Sequence, residues 1–516
     1  MTAAVRARGL LFALAAAGSA SAWLACAASA PRAGGGPDAI VTIELTSSSG
    51  APRVSVVIEA AGDPSGTTVF QIEDRWGGVS GFDQGIRDVA VHGRGGAALA
   101  VEHPDERTWT VRHAPSEPLA LSYALAPTQP FIPPSSSSYY KPVVQPSIFH
   151  AIGHAFLIVP RHLAGDAPRS IDFRWRGFEE AGWKTVSSFG VDPRGTLVNR
   201  SMDQFVHAVF FAGAIRVHRV PARGGELVVA IAGDGWLFRD EEFVASARSV
   251  VDAERAFFDD GAPYFLISVL PIGDMDPSTH SIGGTALVSS FALFMMPNTR
   301  LASEPQYETE GHLGVRWLLA HELFHHWNGG VIERAQPDEL TYWFSEGFTD
   351  FYARRLLYRA GLITIADYAR SLEASLSAYY ASPVLHASNQ EMAASFWTND
   401  SAQKLAYRRG DAVALAVDAR IRATSGGARS LDDVMKDLCR RGRETGERVS
   451  TDSLIATFAK ETSPDFAELV RQWVVTGDAV SIEPDALSPC LSMRFDGGAP
   501  RIAVSPGAGD TCRARL

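Results

Sequence analysis

Two histidines and a glutamate within residues 321–325 have the residue types and the spacing of a metal-binding, water-activating site. His321 and His325 are four residues apart, so on a helix both imidazoles lie on one face and can bind the same ion. Glu322 lies about a hundred degrees further round that helix, where its carboxylate can take a proton from metal-bound water without binding the metal. The segment therefore predicts zinc-dependent hydrolysis with one zinc ion per chain.

A third ligand is needed, because catalytic zinc keeps three protein ligands and an open position for water. Glu346 is predicted to lie on the next helix, from which a turn of the chain can return it to the two histidines. Asp350 follows one helical turn later and can accept a hydrogen bond from the outer N–H of a ligand imidazole. We therefore expect Glu346 to bind the zinc and Asp350 to fix the tautomer of a ligand, whereas His326 is expected to be structural.

The elements that must position these residues follow from the hydrophobic pattern. From about residue 40 to 176, short β-branched or alternating runs between Gly, Pro, Asp and Ser predict an antiparallel β-domain. Later strand-like runs surround one helical stretch, and from about residue 313 onward the pattern is mainly helical. The predicted fold is α+β and multidomain, with an N-terminal antiparallel β-domain over residues 38–188. A catalytic domain of a mixed β-sheet followed by helices is predicted over residues 189–480.

The first 30 residues have the order of a secretory signal. Arg6 and Arg8 precede an apolar stretch that ends in small residues, and residues 31–37 are predicted to be a linker. A buried N-terminal helix is the alternative interpretation, and lipidation at Cys26 is a further one. We expect an exported protein, periplasmic or extracellular, without a transmembrane span in the mature chain, because no later apolar run is long enough.

Charge and cysteine content limit the partners. The chain has 47 Lys plus Arg against 58 Asp plus Glu, a formal net charge of −11, so its field repels nucleic acid. The expected partner is a peptide or protein substrate, and the oligomeric state is left open. In an oxidising compartment Cys490 and Cys512 are candidates for a disulfide within a C-terminal tail over residues 481–516.

Three segments resemble the glycyl aminopeptidase family of zinc peptidases, which belongs to the gluzincins. They are residues 321–328 (HELFHHWN), 343–352 (WFSEGFTDFY) and 358–368 (YRAGLITIADY), with weaker similarity over 405–438. The resemblance implies an N-terminal β-domain followed by a thermolysin-like catalytic domain, with two His and one Glu as zinc ligands. It also implies that Tyr407 donates a hydrogen bond to the oxyanion of the tetrahedral intermediate.

Two features depart from the family pattern. The family's Gly-Gly-x-Glu-His stretch, on the strand that lines the substrate cleft, appears here as Gly283-Gly284-Thr285-Ala286, so alanine stands at the acidic position. In an aminopeptidase an acidic group there can pair with the α-ammonium of the substrate. An aminopeptidase therefore stays open beside an endopeptidase or a peptidase for blocked substrates. The C-terminal tail is also expected to be too short for the PDZ domain that many members carry.

Two other interpretations use the same residues differently. A non-catalytic envelope protein would bind peptides in a peptidase-shaped cleft, but it has no physical need to keep His321, Glu322, His325 and Glu346 together. A structural zinc site usually closes the fourth position with Cys or His and has no use for Glu322. The residues therefore favour a metallopeptidase.

Overall fold

The structure is a computed structural model, which describes residues 36–48, 51–76, 78–129, 132–133, 136–192, 194–273, 281–301 and 314–516. Within these residues the chain forms two compact units. The first unit comprises residues up to 240 together with 262–299, and the second comprises 241–261 and the residues from 300 onward. The predicted signal segment 1–30, Cys26 and most of the predicted linker lie outside the described residues.

The first unit consists mainly of β-strands with two short helices, α1 (Ser136–Tyr139) and α2 (Met202–Val206). Its strands are β1 (Ala39–Ser48), β2 (Ala51–Ala61), β3 (Thr67–Gln71), β4 (Arg75–Trp76), β5 (Val79–Ser80), β6 (Ile86–His92), β7 (Ala98–Leu99), β8 (Val101–Asp105), β9 (Thr108–Arg112), β10 (Pro118–Leu125), β11 (Val143–Gln145), β12 (Ile148–Ile152), β13 (Val159–Pro160), β14 (Pro168–Arg176), β15 (Lys184–Ser187), β16 (Gly195–Ser201), β17 (Val209–Gly213), β18 (Ile215–Ala222), β19 (Gly225–Ala232), β20 (Tyr264–Pro271), β21 (Ile282–Leu287) and β22 (Ser290–Met295).

The largest sheet has seven strands in the order β16-β14-β1-β2-β10-β6-β7, and its neighbours are antiparallel except for the parallel pair β1 and β14. Two four-stranded sheets have the orders β11-β12-β17-β15 and β13-β3-β9-β8. Alternate side chains of a strand face opposite sides of its sheet, and on β2 Val54, Val56 and Ile58 are accordingly buried while Arg53 and Glu59 are exposed. The predicted N-terminal antiparallel β-domain is confirmed.

Strand pairing continues past the predicted boundary at residues 188 and 189. Strand β16 pairs with β14, and β17 pairs with both β12 and β15, so the hydrogen-bonded sheets of the N-terminal region extend to Gly213. Sequence pattern alone could not place this end, because strands on both sides of residue 188 have the same alternation. The domain limits stay a prediction.

A five-stranded mixed sheet has the order β18-β19-β20-β22-β21, with parallel pairs in the centre and antiparallel strands at both edges. It is the predicted mixed sheet. Gly283, Gly284, Thr285 and Ala286 lie on its edge strand β21. Tyr140 donates a hydrogen bond of 2.8 Å from its hydroxyl to the Gly284 carbonyl, which holds this strand in place.

The second unit is mainly helical, as predicted. Its helices are α3 (Asp240–Phe257), α4 (Gly314–Phe324), α5 (Tyr342–Ser345), α6 (Gly347–Arg359), α7 (Ile365–Tyr380), α8 (Asn389–Ser395), α9 (Asp400–Thr424), α10 (Leu431–Thr445), α11 (Thr451–Glu461), α12 (Pro464–Arg471) and α13 (Asp510–Arg515), and its strands are β23 (Glu333–Arg334), β24 (Arg448–Val449), β25 (Leu491–Asp496) and β26 (Ala499–Val504). Among the described residues, no helix has both the length and the apolar character needed to cross a membrane.

The C-terminal residues form a compact segment of the second unit. The hairpin of β25 and β26 is followed by α13, and the disulfide suggested by the sequence joins Cys490 to Cys512, both of them buried. Glu373 of α7 accepts hydrogen bonds from the Ile502 amide (2.7 Å) and from the Arg501 side chain (3.2 Å). These contacts tie the segment to a helix of the second unit.

We expect the substitution Cys490→Ser to lower the free energy of unfolding by about 3 kcal/mol. The bridge spans a sequence separation of 22 residues, and opening a loop of that length returns conformational entropy to the unfolded chain. Urea unfolding of the two proteins measures the difference. Added reductant should bring the parent protein to the stability of the variant, and equal stability of the two proteins without reductant would refute a stabilising bridge.

Candidate metal centre

Helix α4 carries the first two candidate residues, His321 and Glu322, and His325 lies in the turn that follows it. The segment Trp317 to Phe324 is almost wholly apolar apart from these side chains, and it is buried. His321 is fully buried and Glu322 is 2% exposed. The helix therefore places two imidazoles and a carboxylate in a nearly water-free interior, where electrostatic interactions are strong.

The side chains of His321, His325 and Glu346 converge on one point. The two histidine Nε2 atoms are 3.1 Å apart, and Glu346 Oε2 is 3.5 Å from Nε2 of His321 and 3.4 Å from Nε2 of His325. Four-coordinate zinc with ligand bonds of about 2.0 to 2.1 Å holds its ligand atoms about 3.3 Å apart. The three separations therefore fit a single tetrahedral ion, with its fourth position left for water or substrate.

Glu346 supplies an independent test of the fit. Its Oε2 atom is buried and makes no hydrogen bond to any described residue, although such atoms are rarely left unsatisfied. The Ser345 hydroxyl donates to the other carboxylate oxygen over 3.2 Å. An ion bound by Oε2 and the two imidazoles accounts for an oxygen that the protein itself leaves without a hydrogen bond.

Asp350 lies where the sequence predicts the partner of a ligand imidazole. Its Oδ1 is 2.8 Å from Nδ1 of His321, so an Nδ1–H donates to the carboxylate and Nε2 keeps its lone pair for an ion. Burial alone would lower the pKa of His321, but the hydrogen bond to Asp350 and the adjacent carboxylate of Glu346 raise it to about 10. The buried carboxylates thus strongly favour a positive charge at this point, which a divalent cation supplies.

Asn328 is a site residue that the sequence reasoning missed. Its backbone oxygen lies 3.1 Å from Nδ1 of His325 and so orients that ring as Asp350 orients the other. Its side-chain amide donates to the carbonyls of Phe344 and Ser345 and to the hydroxyl of Thr349, over 3.1 to 3.3 Å. Asn328 therefore fastens the turn that carries His325 to the residues on both sides of Glu346. The only signal in the sequence was its place at the end of HELFHHWN.

Tyr407 of α9 lies beside His321, one of the three converging side chains. Its ring stacks on that of His321, with centroids 5.9 Å apart and an angle of 20° between the planes. The hydroxyl is buried and has no well-formed hydrogen bond to a described residue. Burial, followed by the negative charge of Glu346, raises the pKa of Tyr407 well above its usual value. The phenol therefore keeps its proton and can donate it in a hydrogen bond.

Two glycines allow α9 to come this close to the residues around Glu346. A Cβ atom on Gly410 would lie 1.7 Å from the carbonyl oxygen of Trp343, and one on Gly347 would lie 2.3 Å from the Cα of Gly410. Both values are far below any real contact, so only glycine permits this approach of two backbones. The sequence reasoning missed this pair, although an isolated glycine inside a helical pattern is a known sign of close packing.

Comparison with known proteins finds a family that is similar to part of the chain. Residues 314–413 match the model of the M61 glycyl aminopeptidase family. The chain is a zinc metallopeptidase, and this segment is similar to the M61 family. This match covers α4, Glu346, Asp350 and Tyr407, and zinc is the cofactor for which the three converging side chains are suited. No curated protein matches the chain.

Solved structures agree on the fold. An aminopeptidase N family protein from Idiomarina loihiensis is 17% identical and has a TM-score of 0.71, covering 88% of this chain and 79% of its own. A mutant M1 zinc metallopeptidase from Deinococcus radiodurans, bound to a Tyr-Ser-Ala substrate, is 16% identical with a TM-score of 0.50 and coverages of 87% and 94%. At these identities the likeness concerns the fold alone.

We expect Asp350→Asn to weaken zinc binding about 10- to 100-fold, because the amide cannot carry the charge that holds the His321 tautomer. Competition with a chromogenic chelator measures the zinc affinity, and circular dichroism checks that the fold is kept. Asp437→Asn, which removes a half-exposed carboxylate of α10, is the matched control and should leave the affinity unchanged. An unchanged affinity in Asp350→Asn would show that this carboxylate does not support the ligand.

Proposed function

We propose that the protein cleaves residues from the N-terminus of peptides as a zinc-dependent aminopeptidase. The main support is the convergence of His321, His325 and Glu346 at tetrahedral spacing around a buried carboxylate oxygen that no described residue hydrogen-bonds. The M61 match over the same helices supports the aminopeptidase class. A non-catalytic peptide-binding protein would bind zinc yet hydrolyse no peptide library, which separates it from this proposal.

In this proposal each residue of the site has one task. Zinc, when bound by His321, His325 and Glu346, polarises the scissile carbonyl and lowers the pKa of water. Glu322 accepts the proton of the attacking water and passes it to the leaving amine. Tyr407 keeps its proton because of burial and nearby carboxylates, so it donates a hydrogen bond to the oxyanion that develops on the substrate.

The substitution Glu322→Gln should lower kcat about 10²- to 10⁴-fold, because the amide cannot accept the proton of the attacking water. Zinc content should stay at one ion per chain, since Glu322 is not among the three converging ligands. Steady-state kinetics on a peptide substrate and metal analysis of the same sample measure both quantities. Glu444→Gln, on the exposed side of α10, is the control and should leave kcat unchanged. If Glu322→Gln retained its turnover, Glu322 would not be the base.

A second candidate is an endopeptidase or a peptidase for blocked peptides. The observation that favours it is Ala286, whose methyl group stands at the position where the resembling family has a carboxylate. A buried or half-buried α-ammonium without an acidic partner is costly, so this strand offers less to a free N-terminus than the family's strand does.

Paired peptides that differ only in acetylation of the N-terminus distinguish the two candidates. For an aminopeptidase we expect kcat/KM to be at least about tenfold higher for the free amine, because each 1.4 kcal/mol of lost ion pairing is a factor of ten. Ala286→Glu should raise the preference for the free amine, with Ala286→Gln as the uncharged control. Equal cleavage of both peptides, at an internal bond, would favour the second candidate.

We also propose that the chain is exported. The order of charged, apolar and small residues over 1–30 supports a signal segment. The buried disulfide between Cys490 and Cys512 supports folding in an oxidising compartment, because such bridges are rare in reducing ones. The periplasm and the exterior of the cell both meet this condition.

A further inference from the structure

A cavity of about 560 Å³ lies in the second unit, apart from the metal ligands. One wall is the second half of α9, where small side chains at Ala416, Ala419 and Ala423 recur on one face. A second part of the lining comes from α12 and the π-helical turn Gln472–Thr476 that continues it. The volume is within the range of small-molecule sites, and π-helical turns are frequent at functional sites.

This second part of the lining is apolar and aromatic. Phe466, Leu469 and Trp473 line it, and the rings of Phe466 and Trp473 pack edge to face with centroids 5.7 Å apart. Leu469 remains 38% exposed. An apolar ligand that covered it would remove this surface from water, which is favourable.

The cavity is lined by charged side chains as well, with Arg420, Arg422 and Arg515 beside the carboxylates of Glu483 and Asp485. Arg515 lines the cavity, and the structure gives it no carboxylate partner among the described residues. The nearby carboxylate of Asp418 already accepts from Arg355 (2.6 Å) and from Arg422 (2.9 Å). Asp432, the next acid of the network, is shared between Arg355 and Arg359. Four arginines therefore surround two aspartates.

The pKa of Arg515 is shifted in the direction expected where arginines outnumber aspartates. Burial, followed by the like charge of Arg422, lowers the pKa of Arg515. The charge of Asp418 opposes this shift, and a bound anion beside Arg515 would oppose it further. Arg420, which also lines the cavity, pairs with Glu483 over 3.7 Å and lies over the ring of Phe466.

We propose that this cavity binds an apolar molecule with a single carboxylate, whose charge lies at Arg515 and whose apolar part contacts Phe466, Leu469 and Trp473. The shared chemistry is an apolar carboxylate, which both the C-terminal residue of a peptide and a fatty acid possess. The site uses none of the residues assigned to zinc binding or catalysis. A failure of ligand binding in this cavity would therefore leave the peptidase proposal unaffected.

Titration calorimetry with the full zinc-loaded protein tests the site. N-acetyltryptophan represents a peptide C-terminus, octanoate represents a fatty acid, and the corresponding neutral amides lack the charge. We expect at least one of the two acids to bind at least about tenfold more tightly than its amide, as is typical of one charge-assisted contact. Binding of only one acid identifies the source, and the absence of binding by both at millimolar concentration overturns the proposal.

Three variants test whether the acid binds in the cavity or at the zinc ion. Every variant retains the zinc ligands, so a loss of binding is assigned to the cavity. Arg515→Gln should lose about tenfold in affinity for the acid and nothing for the amide. Arg494→Gln, an exposed arginine of β25 outside the cavity, should change neither. Ala419→Phe should fill the cavity and abolish binding even if Arg515→Gln proves unstable. Acid binding that survives Ala419→Phe, or is equal in Arg515→Gln and the parent protein, contradicts the proposed site.

Discussion

Negative charge buried around His321 is the constraint on which the second unit depends. Glu322, Glu346 and Asp350 are all nearly inaccessible to water, and like charges at such depth repel strongly. Burial raises the pKa of Asp350, whereas its hydrogen bond with His321 and the charges of His321 and Arg354 act against that shift. A divalent cation between the imidazoles resolves the conflict, because it neutralises the carboxylates without further proton uptake.

A second layer of charge pairs keeps these carboxylates in place. Arg354 of α6 is fully enclosed and binds the Asp411 carboxylate of α9 through two hydrogen bonds, and the Ser375 hydroxyl donates to the same carboxylate. Removing one partner of such a buried pair is costly, because the other charge is left without compensation. Helices α6, α7 and α9 are therefore fixed to one another near the ligands by paired charge, in addition to apolar packing.

The sequence predicted the parts of the site that depend on short-range geometry. The spacing of His321 and His325, and the single turn between Glu346 and Asp350, follow from helical periodicity alone. The contribution of Asn328 and the contact of Gly347 with Gly410 depend on where the helices cross, which no local pattern encodes. The extension of the β-sheets to Gly213 was missed for the same reason, since strand partners far apart in the chain determine it. The disulfide was suggested as a pairing, but its attachment to α7 was not.

The contact between Gly347 and Gly410 also restricts how this enzyme can change over evolutionary time. Because the two backbones touch, α9 cannot slide past α6 by one residue without placing a Cβ atom against the Trp343 carbonyl. Such a slip would also rotate Tyr407 by about a hundred degrees around the axis of α9 and away from His321. Insertions and deletions between Tyr407 and Gly410 should therefore be purged, whereas loops that join the helices can vary in length. The two glycines thus fix the register of α9 against α6.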